Sequence, residues 1–208
     1  MLKKNSTKEI IVQKAVEMFN EQGVEFVGVR ELAKELGMKG GNITYYFPTK
    51  DDIVMEVSMR LGEENNKILQ KRADLRISEF LGIFGEVFKN HYNFRGLFLS
   101  FPHLLRQNEA VRLQYAKRKV LRRDTILEQL ADMEAGGYLR IPEDRERNNI
   151  LNTITLISRF WISNASVEED VGDMALTMDK YIELIAGQLR PFATAKGRKD
   201  LDRYYEAK

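Results

Sequence analysis

The sequence predicts an all-α protein. Apolar residues recur at helical spacing along almost the whole chain, and no sustained two-residue alternation bounded by turn residues marks a strand. The four prolines fall between the periodic segments or at their ends, where proline starts or stops a helix without breaking one. The chain has 208 residues, 43% of them hydrophobic and 31% charged, so it is long enough to bury a core.

The first predicted helix begins at Ser6 and ends before Gly23. Ser6 and Glu9 have the spacing of a capping box, in which each side chain accepts a hydrogen bond from the other residue's backbone N–H. Apolar residues follow at intervals of three and four, as on the buried face of a helix. Gly23 is typical of the position just after a helix.

Two short helices follow, Val29–Leu36 and about Gly40–Phe47, separated by a turn that contains Gly37. Short helices joined by a tight turn and supported by a longer helix predict a helix-turn-helix. Ile43 and Phe47 should point into the small core, because short helices are not stable without packing. The side chains left on the outer surface are then Asn42, Thr44, Tyr45 and Tyr46.

Longer helices are predicted after Pro48. Thr49 caps the first of them, with Asp51 and Asp52 in the first turn, where the helix dipole favours acidic residues. The predicted segments are Lys50–Asp74, Ser78–His91, Phe94–Phe101, Asn108–Ala135, Asp144–Asn164 and Val167–Arg190. We expect a helix-turn-helix domain over residues 1–50, a helical regulatory and dimerisation domain over 51–195, and a charged, mobile tail over 196–208.

Several classes of protein are disfavoured by composition and motif content. The chain has no cysteine, which excludes disulfides and cysteine nucleophiles and fits a cytoplasmic protein. Its two histidines, His91 and His103, lack the spacing of a metal site. We find no catalytic constellation, phosphate loop or dinucleotide fingerprint, so we expect no enzyme activity, metal or cofactor. The N-terminus does not read as a secretory signal, and residues 148–167 are too polar for a membrane span.

The helix-turn-helix segment carries a more specific pattern. Residues 23–33 read GVEFVGVRELA, and residues 36–50 read LGMKGGNITYYFPTK. This combined spacing resembles the TetR family of transcriptional regulators and covers about the first quarter of the chain. The resemblance implies a homodimer, a major-groove recognition helix at about Lys39–Phe47, and an all-α C-terminal domain for dimerisation and ligand binding.

We expect the DNA contacts to come from this segment. The candidates are Arg30, Lys39, Gly40, Gly41, Asn42, Thr44, Tyr45, Tyr46 and Lys50. Lysine and arginine suit phosphate, whereas the amide and hydroxyl side chains suit base edges or phosphate. Other interpretations are open: the two tyrosines could close the small core, Lys50 could be solvated, and Arg30 could pair with a neighbouring glutamate. Thr44 stands where the family commonly has tyrosine, and the helix caps at Gly28 and Lys39 are weaker than usual.

The C-terminal region offers candidates for ligand binding and dimerisation. The ligand candidates are Phe98, Phe101, His103, Tyr115, Phe160 and Trp161, each of which could instead be an ordinary core or surface residue. The dimer candidates are Ile150, Ile154, Ile157, Leu176, Tyr181, Leu184 and Ile185, on two helices that could form a four-helix bundle with a second copy. The basic run Lys117–Lys119, with Arg122 and Arg123, favours a solvated helix face over a binding site.

The sequence therefore predicts a sequence-specific, DNA-binding transcriptional regulator, and a repressor that a small-molecule effector releases from double-stranded operator DNA. An apolar lining would favour a lipophilic effector. The helix from Lys50 links the two domains and is the expected lever. The alternatives are a helical protein-interaction or membrane-surface module with a structural N-terminal unit, and a DNA binder without a ligand.

Overall fold

The computed structural model describes residues 6–70, 74–168 and 173–206, and helices account for most of these ranges. The helices are α1 (Thr7–Gln22), α2 (Val29–Glu35), α3 (Gly40–Tyr46), α4 (Lys50–Ile68), α5 (Ile77–Asn93), α6 (Arg95–Leu99), α7 (Phe101–Gln107), α8 (Glu109–Ala135), α9 (Asp144–Ala165), α10 (Met174–Leu189) and α11 (Ala195–Glu206). Short 3-10 turns cover Val24–Phe26 and Arg190–Phe192. The described residues contain no strand, only one β-bridge between Leu139 and Ala193, and the predicted all-α class is confirmed.

The described chain divides into two compact units. The first unit comprises the residues up to Glu64 together with Asn90–Lys117, and the second comprises Asn65–Lys89 together with the residues from Arg118 onwards. The first unit therefore contains the predicted helix-turn-helix and also α6 and α7. Its core joins apolar side chains of α1 to α4 with Phe94, Leu97 and Leu104.

Capping interactions explain where α1 and α4 begin. The Ser6 hydroxyl accepts a hydrogen bond from the Glu9 N–H at 3.2 Å. The Glu9 carboxylate binds the Arg60 guanidinium through both oxygens, so only half of the predicted capping box forms. At α4 the exchange is complete: Thr49 Oγ1 accepts from the Asp52 N–H, and the Asp52 carboxylate accepts from the Thr49 N–H at 2.9 Å.

Gly37 makes the turn between α2 and α3. It has a φ of 61°, in the left-handed region where only glycine is free of steric cost. Its N–H donates to the Lys34 carbonyl oxygen, and the Met38 N–H donates to that of Ala33. This pair of bonds is a Schellman motif, which satisfies the last carbonyls of α2 and turns the chain into α3.

Three predicted helices differ from the structure by more than a shift of one or two residues at an end. The helix from Lys50 ends at Ile68 rather than Asp74, and residues 71–73 lie outside the described residues. The segment Phe94–Phe101 is not one helix, because α6 ends at Leu99 and Pro102 lies in the first turn of α7, where its missing N–H costs nothing. The last long helix begins at Met174, after the Asp173 cap, and residues 169–172 are outside the described part.

The expectation of a mobile tail from residue 196 needs correction, because residues 195–206 form α11. Gly197, Asp200 and Leu201 are buried on one face of this helix. The Asp200 carboxylate accepts from both the N–H and the hydroxyl of Ser78 at 2.8 and 3.0 Å. A Cβ atom on Gly197 would overlap the carbonyl oxygen of Tyr138, so the contact requires glycine. Buried side chains within a strongly charged stretch thus fix α11 in the second unit.

The second unit is packed around aromatic side chains. Phe80, Phe84 and Phe88 follow one another at four-residue intervals on α5 with neighbouring rings in contact. Trp161 of α9 stacks on Phe88 with ring centroids 5.0 Å apart, and its ring also neighbours Tyr181 of α10. This arrangement gives α5, α9 and α10 a common core.

Candidate nucleic-acid interface

Two buried residues hold α3 against the first unit and leave its other side chains outside. Ile43 and Phe47 are buried, as the helix-turn-helix pattern predicts. The exposed side chains of this helix are Asn42, Thr44, Tyr45 and Tyr46. Tyr45 is 81% exposed, so it does not close the core, whereas Tyr46 is less exposed, at 39%. The outer face of α3 is therefore polar, aromatic and solvent-accessible.

The polar groups on α3 are partly ordered by one another. The rings of Tyr45 and Tyr46 meet edge to face with centroids 5.0 Å apart. The Thr44 hydroxyl donates to the Gly41 carbonyl oxygen at 3.4 Å. Lys39, Gly40 and Gly41 are also exposed, and the Lys39 side chain makes no capping hydrogen bond. Hydroxyl, amide and ammonium groups on one short helix match the donors and acceptors that DNA offers.

Lys50 has a structural contact that the sequence did not reveal. Its ammonium group donates to the carbonyl oxygen of Glu25 at 2.9 Å, which ties the start of α4 to the 3-10 turn after α1. Lys50 is half-buried, whereas Arg30 is exposed. Glu31, one of the glutamates considered as a partner of Arg30, accepts a hydrogen bond from the Gly28 N–H at 3.0 Å.

The end of α1 is held by the α5–α6 junction through Asn20. The Asn20 amide donates to the Asn93 carbonyl oxygen at 2.7 Å, and its own oxygen accepts from the Gly96 N–H at 2.9 Å. A Cβ atom on Gly96 would overlap the carbonyl oxygen of Phe19, so α6 packs with its backbone directly against α1. Sequence reasoning missed this contact, because its partners lie more than 70 residues apart and no local pattern marks them.

Glu25 forms a second polar link to the same region. Its carboxylate accepts a hydrogen bond from the Ser100 hydroxyl at 2.8 Å, at the break between α6 and α7. Burial raises the pKa of Glu25, but the Ser100 hydrogen bond, a backbone N–H and the charges of His103 and Lys50 outweigh it and lower the pKa below its usual 4.5. The carboxylate is therefore ionised at neutral pH.

The ligand candidates fall in both units. In the first, Phe98 is buried against His91, and Phe101 meets Tyr115 edge to face at 4.9 Å, whereas His103 is exposed. In the second, Trp161 is buried, and Phe160 is half-buried with the Arg159 guanidinium over its ring. Phe101 and Tyr115 are thus in contact with each other, whereas His103 is exposed to solvent.

Some of the dimer candidates are buried within the protomer, and the others are exposed or half-buried. Four of them, Ile150, Ile154, Tyr181 and Ile185, are buried within the protomer's own core. Their side chains offer no surface to a second copy, because α9 and α10 use these positions to pack inside the second unit. Leu176 and Leu184 are exposed, at 69% and 48%, and Ile157 is half-buried. Leu156, which the sequence analysis did not select, is also exposed on α9.

Other features of the described residues bear on function. Lys117, Lys119 and Arg123 are exposed on α8, as expected for a solvated helix face. Within residues 6–70, 74–168 and 173–206, no helix is long and apolar enough to cross a membrane. The same residues contain no group of three or more histidine, aspartate or glutamate side chains able to hold a metal ion.

The fold and the exposed face of α3 define a helix-turn-helix regulator with a helical second domain. Residues 11–57 match the family described as bacterial regulatory proteins, tetR family, and residues 60–201 match the TetR family of bacterial transcriptional repressors. Because the second match alone covers more than half of the chain, the chain belongs to the TetR family of transcriptional regulators.

Individual relatives agree with this assignment. The probable HTH-type transcriptional regulator YttP of Bacillus subtilis (strain 168) is 34% identical over 70 residues, which are 34% of this chain and 34% of that protein. The match thus spans about a third of the relative's length. A TetR-family regulator from Marinobacter aquaeolei VT8 has a TM-score of 0.87 at 18% identity, over 97% of this chain and 98% of that one. SmeT in complex with triclosan has a TM-score of 0.65 at 15% identity, over 92% and 93%. The two structures show a shared fold.

Proposed function

We propose that this regulator is a homodimeric repressor that binds a near-palindromic operator through α3 and leaves it when a small molecule binds the helical C-terminal domain. The observation that carries the proposal is α3, a helix anchored by two buried residues whose exposed face is polar and aromatic. The family match over residues 60–201 supports repression, and the SmeT–triclosan complex supports a small-molecule effector. We infer that it acts in the cytoplasm, where its DNA is.

On DNA, the side chains divide into two roles. Lys39, Arg30 and Lys50 approach phosphates and set the register, and Lys50 does so from a position fixed by Glu25. Asn42, Thr44 and the two tyrosines face the major groove or its rim. A two-fold symmetric dimer requires half-sites about one helical turn apart, roughly 34–36 Å, or a multiple of that distance.

The first experiment is a titration of the ligand-free protein against DNA fragments flanking its own gene, at several salt concentrations. The wild type should bind one near-palindromic site. Lys39→Ala should weaken binding to every fragment and reduce the slope of log affinity against log salt by about 1. Tyr45→Ala should weaken binding to the operator by about tenfold.

Lys117→Ala is the matched control, because it removes the same charge from an exposed position outside the helix-turn-helix. Its affinity and salt slope should equal those of the wild type. If the folded, ligand-free protein binds no fragment at low salt, the DNA-binding function is wrong. The helical protein-interaction module then becomes the better hypothesis.

Two elements of the first unit provide a route for release. In α4, Arg60 is tied to Glu9 of α1 and lies near Glu56, which also pairs with Lys8. The α5–α6 junction is tied to α1 through Asn20. An effector that shifts the end of α5 or the course of α4 therefore moves α1 and, with it, α3. We therefore expect α6, as well as α4, to transmit the effect of effector binding to α1.

Coupling between effector and operator must be reciprocal, because it is a free energy shared by two binding sites. Saturating operator should lower the affinity for the effector by the same factor by which the effector lowers affinity for operator. Unchanged effector affinity in the presence of operator would contradict the allosteric part and leave DNA binding intact. Asn20→Ala should reduce the coupling factor more than it reduces operator affinity.

A further inference from the structure

Ser100 lies where α6 ends and α7 begins, and its backbone is held by both helices. Its N–H donates to the Gly96 carbonyl oxygen at 3.3 Å, and its carbonyl oxygen accepts from the Leu104 N–H at 2.9 Å. A serine just before a helix usually caps it with its hydroxyl. Here the hydroxyl makes no capping bond to α7 and donates instead to the Glu25 carboxylate at 2.8 Å. The side chain of Ser100 therefore makes a contact outside its own helices.

Glu25 lies in the exposed middle of the 3-10 turn that precedes α2. Val24 and Val27 are each 1% exposed and anchor this segment at both sides, whereas Glu25 and Phe26 are exposed. The backbone hydrogen bonds of the turn are long, 3.3 Å from the Phe26 N–H to Gly23 and 3.4 Å from the Val27 N–H to Val24. Both exceed the usual range for N–H···O bonds. The position of Glu25 therefore depends on contacts from outside the turn.

Two such contacts meet at Glu25 through different groups. Its carboxylate accepts from the Ser100 hydroxyl, and its backbone carbonyl oxygen accepts from the Lys50 ammonium group at 2.9 Å. In each bond one partner is charged, which makes it stronger than a bond between neutral groups. The three residues form a continuous chain from the α6–α7 break to the first residue of α4, and all three belong to the first unit.

Lys50 has further donors to offer to DNA. An ammonium group has three N–H donors, and the bond to Glu25 uses one of them. The side chain is half-buried, so it is partly open to solvent. A flexible lysine side chain loses rotamer freedom when it binds phosphate, and this loss is smaller when the protein already holds the side chain in place.

We infer that Ser100 and Glu25 are positioning residues for Lys50: they hold its ammonium group where it meets a DNA phosphate, so that the α6–α7 break controls one phosphate contact. A displacement of this break reaches Lys50 through Glu25, without passing through α1. The inference rests on the proposed function and adds a residue-level control to its DNA contacts.

A double-mutant cycle tests whether Ser100 acts through Lys50. The ligand-free protein is titrated with the operator fragment and with a random-sequence duplex of the same length. Ser100→Ala should lower the affinity for both by about threefold to tenfold, because every sequence offers the same phosphates. In a Lys50→Met background, Ser100→Ala should have no further effect, since the contact is already lost. A loss of equal size in both backgrounds overturns the inference.

Two further variants separate positioning from charge and from packing. Glu25→Gln keeps a side-chain oxygen for the Ser100 hydroxyl and removes a negative charge near the phosphates, so it should bind at least as tightly as the wild type. Ser158→Ala is the matched control, because Ser158 is 6% exposed, Ser100 is 7% exposed, and Ser158 belongs to the second unit. It should bind DNA as the wild type does. Glu25→Gln that binds as weakly as Ser100→Ala overturns the inference.

The reactivity of Lys50 measures the same chain of contacts without DNA. Brief acetylation with acetic anhydride, followed by mass spectrometry of peptides, gives a rate for each lysine. Lys50 should react more slowly than the exposed Lys39, because its ammonium group is bound to a carbonyl oxygen. Ser100→Ala should raise the rate at Lys50 by about threefold and leave Lys39 unchanged. An unchanged rate at Lys50 overturns the inference.

The two measurements keep the inference apart from the proposed function. If the wild type binds neither duplex at low salt, the DNA-binding function is overturned, and the role of Lys50 with it. If the wild type binds operator and Ser100→Ala binds equally tightly, the inference alone is overturned. A loss of affinity for both duplexes that requires Lys50, together with faster acetylation of Lys50 in Ser100→Ala, supports both.

Discussion

At the scale of single residues, Gly96 determines how closely α6 approaches α1. Its missing Cβ lets the α6 backbone pack on the Phe19 carbonyl, and the Gly96 N–H reaches the Asn20 side chain. Gly82 on α5 is a useful contrast, because it is exposed and a Cβ there would meet no neighbour within 4 Å. The two glycines thus differ in surroundings while both lie in helices.

Gly96→Ala should destabilise the protein by about 1–3 kcal/mol, because the added methyl group forces α6 away from α1. Gly82→Ala should stabilise it by about 0.5–1 kcal/mol, since alanine has the higher helix propensity. Denaturant unfolding of both variants measures whether each substitution raises or lowers the free energy of unfolding. If Gly96→Ala is as stable as Gly82→Ala, the close packing of α6 on α1 is wrong.

At the scale of elements, α1 is fixed to α4 by an ion pair. The hydrogen bonds from Arg60 lower the pKa of Glu9 below its usual 4.5, and they outweigh the opposing effect of burial. Because the folded pKa is the lower one, this pair contributes stability above the unfolded pKa. The contribution is lost as the pH falls through the folded pKa.

Glu9→Gln should therefore be less stable than the wild type at pH 7, by about 0.5–1 kcal/mol for a partly exposed pair. The difference should begin to shrink as the pH falls past about 4.5, where the unfolded carboxylate takes up a proton, and it should be lost once the pH is below the lowered pKa of the folded state. Thermal unfolding of both proteins between pH 3 and 7 measures this difference in stability. A difference that stays constant over this range would mean that the charge of Glu9 is not what matters.

The docking of α11 is a second feature at the scale of elements. Asp200 satisfies the Ser78 N–H at the start of α5, in the manner of a helix cap supplied from 122 residues away. Asp202 is exposed on the same helix and serves as the comparison.

Asp200→Ala should lower the free energy of unfolding by about 1–2 kcal/mol, because the Ser78 N–H and hydroxyl lose their acceptor. Asp202→Ala should change it by less than about 0.5 kcal/mol, as is usual for surface substitutions. Urea unfolding monitored by circular dichroism compares them. Equal stability of the two variants would show that the α11 cap contributes little.

At the scale of the whole molecule, the proposed dimer needs apolar surface that the protomer does not use itself. Leu156, Leu176 and Leu184 of α9 and α10 have that property, whereas the isoleucines at 150, 154 and 185 are buried. A leucine of similar exposure, Leu113 at 49%, lies on α8 in the first unit.

Leu184→Glu should convert the dimer into a monomer or weaken it by more than tenfold, because a charge would be buried at the centre of the contact. Leu113→Glu should remain dimeric. Sedimentation velocity over a range of protein concentrations distinguishes the two. A monomeric Leu113→Glu together with a dimeric Leu184→Glu would place the interface elsewhere.

Local sequence patterns were sufficient to predict the all-α class, the helix-turn-helix and the exposed face of α3. These features depend on local signals: helical spacing around Ile43 and Phe47, the Thr49 cap, and Gly37 at a turn that needs a positive φ. Each acts over a few residues, so each can be recognised before the fold is known.

Contacts between side chains that are far apart in the sequence could not be predicted and became visible in the folded chain. Asn20 bonds to Asn93 and Gly96, Lys50 to Glu25, and Asp200 to Ser78. In the folded chain, Ile150 and Ile185 lie in the protomer core, and the charged stretch 195–206 forms the helix α11. Periodicity marks an apolar helix face, but it does not say whether the chain itself or a second copy covers that face, because burial depends on packing between distant segments.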